Sequence, residues 1–158
     1  MNKKERDHFI SQWDKYFNGA ELPLTFYYTD DKERPDLVKP GTTHRCIIAA
    51  LLKARKGKAM SFNSESIGCF GGRRYAGFAT KIMPNFEYFL SCGIPGKLEG
   101  ERYKKSPQLV KEAMEHQKPF TAPGKFIVFK RWDLREASDK PQVVIFFAQP
   151  DVLAGLFT

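Results

Sequence analysis

The stretch Lys125-Phe126-Ile127-Val128-Phe129-Lys130, followed by Val143-Val144-Ile145-Phe146-Phe147-Ala148, decides the fold class. Both runs are rich in β-branched and aromatic residues, the pattern of strands. The polar link Asp133–Pro141 between them is short enough for an antiparallel hairpin. The second run is apolar at every position, which predicts a central strand covered on both faces. Upstream, Leu24-Thr25-Phe26-Tyr27-Tyr28 alternates and adds a third strand, and Ala59-Met60-Ser61-Phe62 adds a short fourth.

Helical periods occupy much of the rest. Over residues 4–18, Phe9, Ile10, Trp13, Tyr16 and Phe17 share one face at a period of 3.6, and Asn18-Gly19 stops the helix. The Phe9/Trp13/Phe17 stripe reads as core or as a dimer contact, so a homo-oligomer stays open. Charges with Pro35, Pro40 and Gly41 make 29–42 a loop. Thr42 or Thr43 is placed to cap a helix whose body runs from Arg45 to Lys56, with Gly57 ending it. Its run Cys46–Leu52 is apolar nearly all round, which predicts a well-buried helix. Residues 84–92 suggest a short helix and Gly93–Gly100 a loop. Ser106-Pro107 starts a helix that runs to about Gln117, with Pro in the first turn where its missing N–H costs no bond. Pro150-Asp151 opens a last helix, and the apolar chain end after it is expected to pack on the sheet or on a second subunit. No internal repeat, low-complexity tract or interdomain linker interrupts this order. The expectation is a single α+β domain over residues 1–158, a mostly antiparallel sheet with packed helices.

A length of 158 residues suits one domain. Hydrophobic residues at 42% and aromatic residues at 14% exclude a disordered chain. No apolar run approaches the roughly 18 residues of a membrane span, and no apolar segment follows the charged start, as a secretory signal would require. A cytoplasmic protein is expected. Cys46, Cys69 and Cys92 are odd in number and widely spaced, so reduced, unpaired thiols are expected. The net charge of +8 is uneven: residues 1–40 hold 7 basic and 8 acidic side chains, residues 41–118 hold 14 and 6, and residues 119–158 hold 5 and 4. An anionic partner would meet the middle segment.

That segment contains Ser64-Glu65-Ser66-Ile67-Gly68-Cys69-Phe70-Gly71-Gly72-Arg73-Arg74-Tyr75-Ala76-Gly77-Phe78, read as a Gly-rich loop opening into a short helix. Unpaired N–H groups of such a turn bind anions, and adjacent arginines add bidentate contacts to phosphate or carboxylate. Gly68, Cys69, Gly71, Gly72, Arg73 and Arg74 are therefore the candidate ligand site, expected to line the main pocket as a concave turn. The segment matches neither a P-loop nor a dinucleotide fingerprint. The plainer reading is a tight turn with close helix packing and two solvated arginines. Cys69 is the candidate catalytic thiol, since a helix start and nearby arginines activate a thiolate; the plainer reading is a small buried hydrophobe. Cys46, Cys69 and Cys92, with His44 as a fourth ligand, form a weaker metal candidate without any Cys-x-x-Cys. His8, His44 and His116 show no nucleophile–base arrangement. The clusters Lys53–Lys58 and Arg102–Lys105 would suit phosphates, but no nucleic-acid motif accompanies them, and a solvated face is the simpler reading.

The pattern Arg45-Cys46, Ala49-Ala50 and Gly57, then Ser66 to Gly72 and Ala76-Gly77-Phe78, resembles the family catalogued as domain of unknown function 169. The strand pair ending Val143–Pro150, with Asp151-Val152-Leu153 after it, resembles the same family, and the likeness spans roughly residues 20–158. The resemblance implies a prokaryotic, cytoplasmic protein of unassigned function. It also implies a longer chain, with a further Gly-Cys loop beyond Thr158, so that this sequence is expected to be truncated relative to the family. The functional expectation is a binding module for a small anionic ligand or cofactor, the cofactor itself unspecified. A thiol- or metal-dependent redox enzyme and a basic nucleic-acid-binding protein are the alternatives.

Overall fold

Strands with buried backbone need neighbours to complete their hydrogen bonds. In the computed structural model, which describes residues 2–31, 35–41 and 46–157, four strands do this in one sheet. They are β1 (Leu24–Thr29), β2 (Met60–Phe62), β3 (Phe126–Arg131) and β4 (Val143–Ile145). They lie in the order β2-β3-β1-β4 and pair antiparallel throughout. The helices are α1 (Lys3–Tyr16), α2 (Ile47–Arg55), α3 (Phe70–Tyr75), α4 (Phe86–Phe89), α5 (Pro107–Glu115) and α6 (Pro150–Gly155). The fold is α+β. It divides into two compact units, Met1–Gly72 with Ala122–Thr158, and Arg73–Thr121. No described helix is long and apolar enough to cross a membrane.

The first unit holds the sheet. β1 and β3 run together over six residues, from Leu24 opposite Arg131 to Thr29 opposite Phe126. Alternation then sorts the side chains. One face gathers Phe26, Phe129, Met60 and Phe62, with ring centroids 5.5 Å apart for Phe26–Phe129 and 5.9 Å for Phe62–Phe129. The other face carries Thr25, Tyr27, Val128 and Lys130.

Lys130 is buried in mid-strand, and an unpaired ammonium there would cost several kcal/mol. Asp139 meets it. The Lys130 ammonium donates to both carboxylate oxygens at 3.0 and 2.9 Å, the Tyr27 hydroxyl donates to Oδ1 at 2.7 Å, and the Glu136 N–H donates to Oδ2 at 2.9 Å. Arg131, one residue on, faces the opposite way. It holds Asp133 at 2.7 and 2.8 Å and donates to the Arg55 carbonyl at the end of α2 at 3.0 Å. That Arg131 hydrogen bond holds the Asp133 carboxyl below its ordinary range.

α1 starts in a capping box, with the Glu5 N–H on Asn2 Oδ1 and the Asn2 N–H on Glu5 Oε2. Its stripe is core: Trp13 is buried against Phe9, Phe17 and Phe146, and Phe9 lies 4.1 Å from the Trp132 ring. In the second unit, Ser106 caps α5 by accepting from the Leu109 N–H, with Pro107 at its first turn.

Three expectations are corrected. β4 is an edge strand of three residues, with Val143 and Val144 about two-fifths exposed, and not a central strand. β3 and β4 form no hairpin, because β1 lies between them and pairs with both. The reason is the link: Asp139 within it is drawn onto Lys130, so the chain crosses past β1 before it becomes a strand again. α2 is not buried all round, since Ile48 is 61% and Leu52 51% exposed and only Leu51 and Ala54 are buried. It covers one sheet face, and a helix on a single sheet can bury only one stripe. Cys46 stands at its N-cap, and Thr42 and Thr43 lie outside the described residues. At the chain end, Val152 of α6 is buried and Gly155 meets the Phe17 ring, but Leu156 and Phe157 are exposed.

Two outcomes follow from the buried cluster. Asp139→Ala strips the acceptor from Lys130, Tyr27 and the Glu136 N–H at once, and urea unfolding should show a loss of about 3–5 kcal/mol. The Lys130→Met/Asp139→Leu double variant should recover most of that loss, whereas equal damage in single and double variants would show the pair is incidental. Tyr27 gives the pH signature. Burial, then the Asp139 hydrogen bond, raise its pKa above the ordinary 10.0. The folded chain therefore keeps this proton longer than the unfolded chain does. Its contribution to stability is whole below about pH 10 and is lost as pH rises toward the folded value. Absorbance at 295 nm between pH 9 and 12 should show the same number of tyrosinates forming in the folded wild type as in folded Tyr27→Phe, because Tyr27 keeps its proton; one more in the wild type would refute the burial.

Candidate functional site

The Gly-rich segment begins where β2 ends. Asn63 Oδ1 accepts from the Glu65 and Ser66 N–H groups at 3.1 and 2.9 Å, and Ser66 Oγ accepts from the Asn63 N–H at 2.8 Å. This reciprocal turn reverses the chain sharply. It delivers Ile67 into the core at 1% exposure and leaves Gly68 lining a cavity of about 570 Å³. Ile47 and Ala50 of α2, Met60 and Phe62 of β2, and Ile67 make this cavity mostly apolar. Lys53, Ser66 and Cys46 supply its polar side chains. Lys53 forms no ion pair among the described residues.

α3 starts at Phe70, so Gly71 and Gly72 belong to its first turn and not to the loop before it. Cys69 caps this turn: the Gly72 N–H donates to Cys69 Sγ at 3.1 Å. That donor is therefore taken by the thiol. Gly72 is small for a packing reason. A Cβ there would sit 3.0 Å from Ile47 Cγ2 and 3.2 Å from Ile67 Cγ2, closer than side chains normally approach. Gly71 has nothing within 4 Å of such a Cβ. Gly77 stands at φ +77°, and it closes α3 with bonds from its own N–H to the Arg74 carbonyl and from the Phe78 N–H to the Arg73 carbonyl. This is a Schellman end, and the left-handed position suits glycine.

The arginines part from the cavity at Gly68, whose lining includes neither. Arg73 is half-buried, and its Nε has no hydrogen-bond partner among the described residues. Arg74 donates to the Thr80 carbonyl at 3.3 Å and lines a groove of about 340 Å³ within the second unit. Cys92 is exposed and lines a cleft made by the Gly93–Gly100 loop. Among the described residues no three His, Cys, Asp or Glu side chains are grouped to hold a metal, and His44 lies outside those residues.

A further cavity of about 490 Å³ lies between the turn after α1 and the start of α6. Its cation, Arg55, is committed: it grips Glu21 at 2.6 and 2.7 Å and lies 4.4 Å from the Phe147 ring. The Arg55 hydrogen bond lowers the Glu21 pKa. A neutralised guanidinium of this kind offers little to an incoming anion.

Sequence reasoning missed Lys53, Met60 and Phe62 as cavity lining, and Tyr75, Lys118 and Phe120 as groove lining. Lys53 alone carried a signal, as the first member of a basic cluster. The others meet across sequence separations that no local motif spans.

No curated protein and no solved structure matches the chain. The family described as uncharacterised ArCR, domain of unknown function 169, matches residues 15–158. That span takes in every strand, the Gly68–Gly77 segment and the cavity beside it, and so the chain belongs to the domain of unknown function 169 family, whose function is unassigned.

Proposed function

We propose that the chain is a binding module for a small, mostly apolar molecule carrying one anionic group, held in the cavity beside Gly68. The carrying observation is the cavity of about 570 Å³ between α2 and β2, walled by Ile47, Met60, Phe62 and Ile67 with the Lys53 ammonium at hand. Concave, largely apolar sites with a few polar groups are where small ligands bind. The size falls within the roughly 300–1,000 Å³ such sites occupy. The apolar walls bind the body of the ligand, and Lys53 selects the charge. Gly68 lines the cavity with backbone alone, which is the part of the glycine-loop expectation this reading keeps. The cytoplasmic setting expected from the family resemblance makes a small water-soluble metabolite the ligand class to look for.

The probe for this site is 1-anilinonaphthalene-8-sulfonate, an aromatic anion whose fluorescence rises in apolar surroundings, compared with neutral N-phenyl-1-naphthylamine. Saturable binding of one equivalent is expected. Ala50→Phe fills the cavity and should weaken both probes about tenfold or more. Lys53→Ala should weaken only the anionic one, by about threefold to tenfold. Thermal unfolding of both variants should stay near wild type, because Ala50 is half-buried and Lys53 exposed. Unchanged probe binding in a folded Ala50→Phe would place the ligand elsewhere.

A further inference from the structure

The second unit has a groove of its own, with a different chemistry. Its volume is about 340 Å³, near the lower end of ligand-binding cavities. The end of α3 supplies Arg74 and Tyr75, and the segment after α5 supplies Gln117, Lys118 and Phe120. The lining holds two cations and no carboxylate. It also holds two aromatic side chains, Tyr75 at 74% and Phe120 at 51% exposure. The Schellman end of α3 and the Arg74–Thr80 hydrogen bond fix one wall, and the Gln117 N–H bond to the Met114 carbonyl fixes the start of the other.

We infer that this groove binds a mononucleotide-type ligand, an aromatic heterocycle bearing a phosphate. Each half of that chemistry answers one half of the lining. A simple anion would satisfy Arg74 and Lys118 but leave the Tyr75 face in water. A neutral ring would stack but leave both cations unmatched. Only a ligand that is flat and anionic uses both. The Gln117 amide presents two donors and an acceptor, which suits the mixed edge of a nucleobase. Its small volume holds one ring system with its phosphate, not a length of strand. The unit as a whole carries 9 basic and 5 acidic side chains over Arg73–Thr121, so its field favours the anion's approach. The inference does not rest on the cavity beside Gly68.

Equilibrium dialysis of the full chain at low salt against adenosine 5′-monophosphate, adenosine and inorganic phosphate tests it. The monophosphate should bind saturably, with adenosine and phosphate each at least about tenfold weaker. Tyr75→Ala and Lys118→Ala should each weaken the monophosphate about tenfold. Tyr103→Ala is the control, since that ring is equally exposed in the same unit but lies outside the groove; it should change nothing, and neither should Ala50→Phe. Inorganic phosphate binding as well as the monophosphate would reduce the groove to a plain anion patch and overturn the proposal. Equal weakening by Tyr103→Ala would do the same by showing unspecific stacking. So would saturable binding of an oligothymidylate where the mononucleotide fails, because the occupant would then be a strand.

Discussion

The ammonium of Lys130 lies in the middle of the sheet, and the chain is arranged to meet its charge. Asp139 accepts from it twice, then from the Tyr27 hydroxyl on β1 and from the Glu136 backbone. One carboxylate thereby ties β3, β1 and the link that follows β3. Buried ion pairs add little net stability over apolar residues of the same shape, but losing one partner is severe. Such a pair excludes arrangements more than it strengthens this one. A hairpin between the runs at 126–131 and 143–145 would carry Asp139 away from Lys130. The pairing seen instead places β1 between them and β4 at the edge.

The opposite face follows from the same register. With Lys130 pointing one way, Phe129 and Arg131 must point the other. Phe129 meets Phe26 and Phe62 there, and Arg131 reaches the last carbonyl of α2. Arg131 thus fixes the end of a helix whose first turn lines the cavity beside Gly68 with Ile47, Ala49 and Ala50. The cavity is a space between one tethered helix and one short strand, and its apolar walls are the inward residues of both.

What was legible in the sequence was what local physics determines. Phe9, Trp13 and Phe17 form a helical stripe that no strand could bury, and Ser106-Pro107 is a helix start by cap and dihedral alone. Apolar content did not disclose neighbours. Val143-Val144-Ile145 reads as doubly buried but is an edge strand, because hydrophobicity reports affinity for a core and not which strand lies alongside. The run Cys46–Leu52 misled in the same way: Ile48 and Leu52 share the outward side of a helix whose inward side is already filled by Leu51 and Ala54. Lys130 and Asp139 looked like two of many surface charges. Their burial is a consequence of register, which the eight intervening residues do not encode locally.

The glycine segment shows the same division at single-residue scale. Four glycines in ten residues suggested one cradle with one purpose. They do separate jobs: Gly68 borders the cavity, Gly72 admits Ile47 and Ile67, and Gly77 takes the left-handed turn that closes α3. The N–H that a cradle would aim at an anion is given by Gly72 to Cys69 Sγ. Gly77 sits at the end of the helix that carries the two arginines. By ending α3 directly after Tyr75 and Ala76, it leaves Arg74 and Tyr75 on a last turn whose carbonyls are already bonded. There the Thr80 carbonyl holds the Arg74 guanidinium, and the Tyr75 ring next to it in the chain stands exposed to solvent.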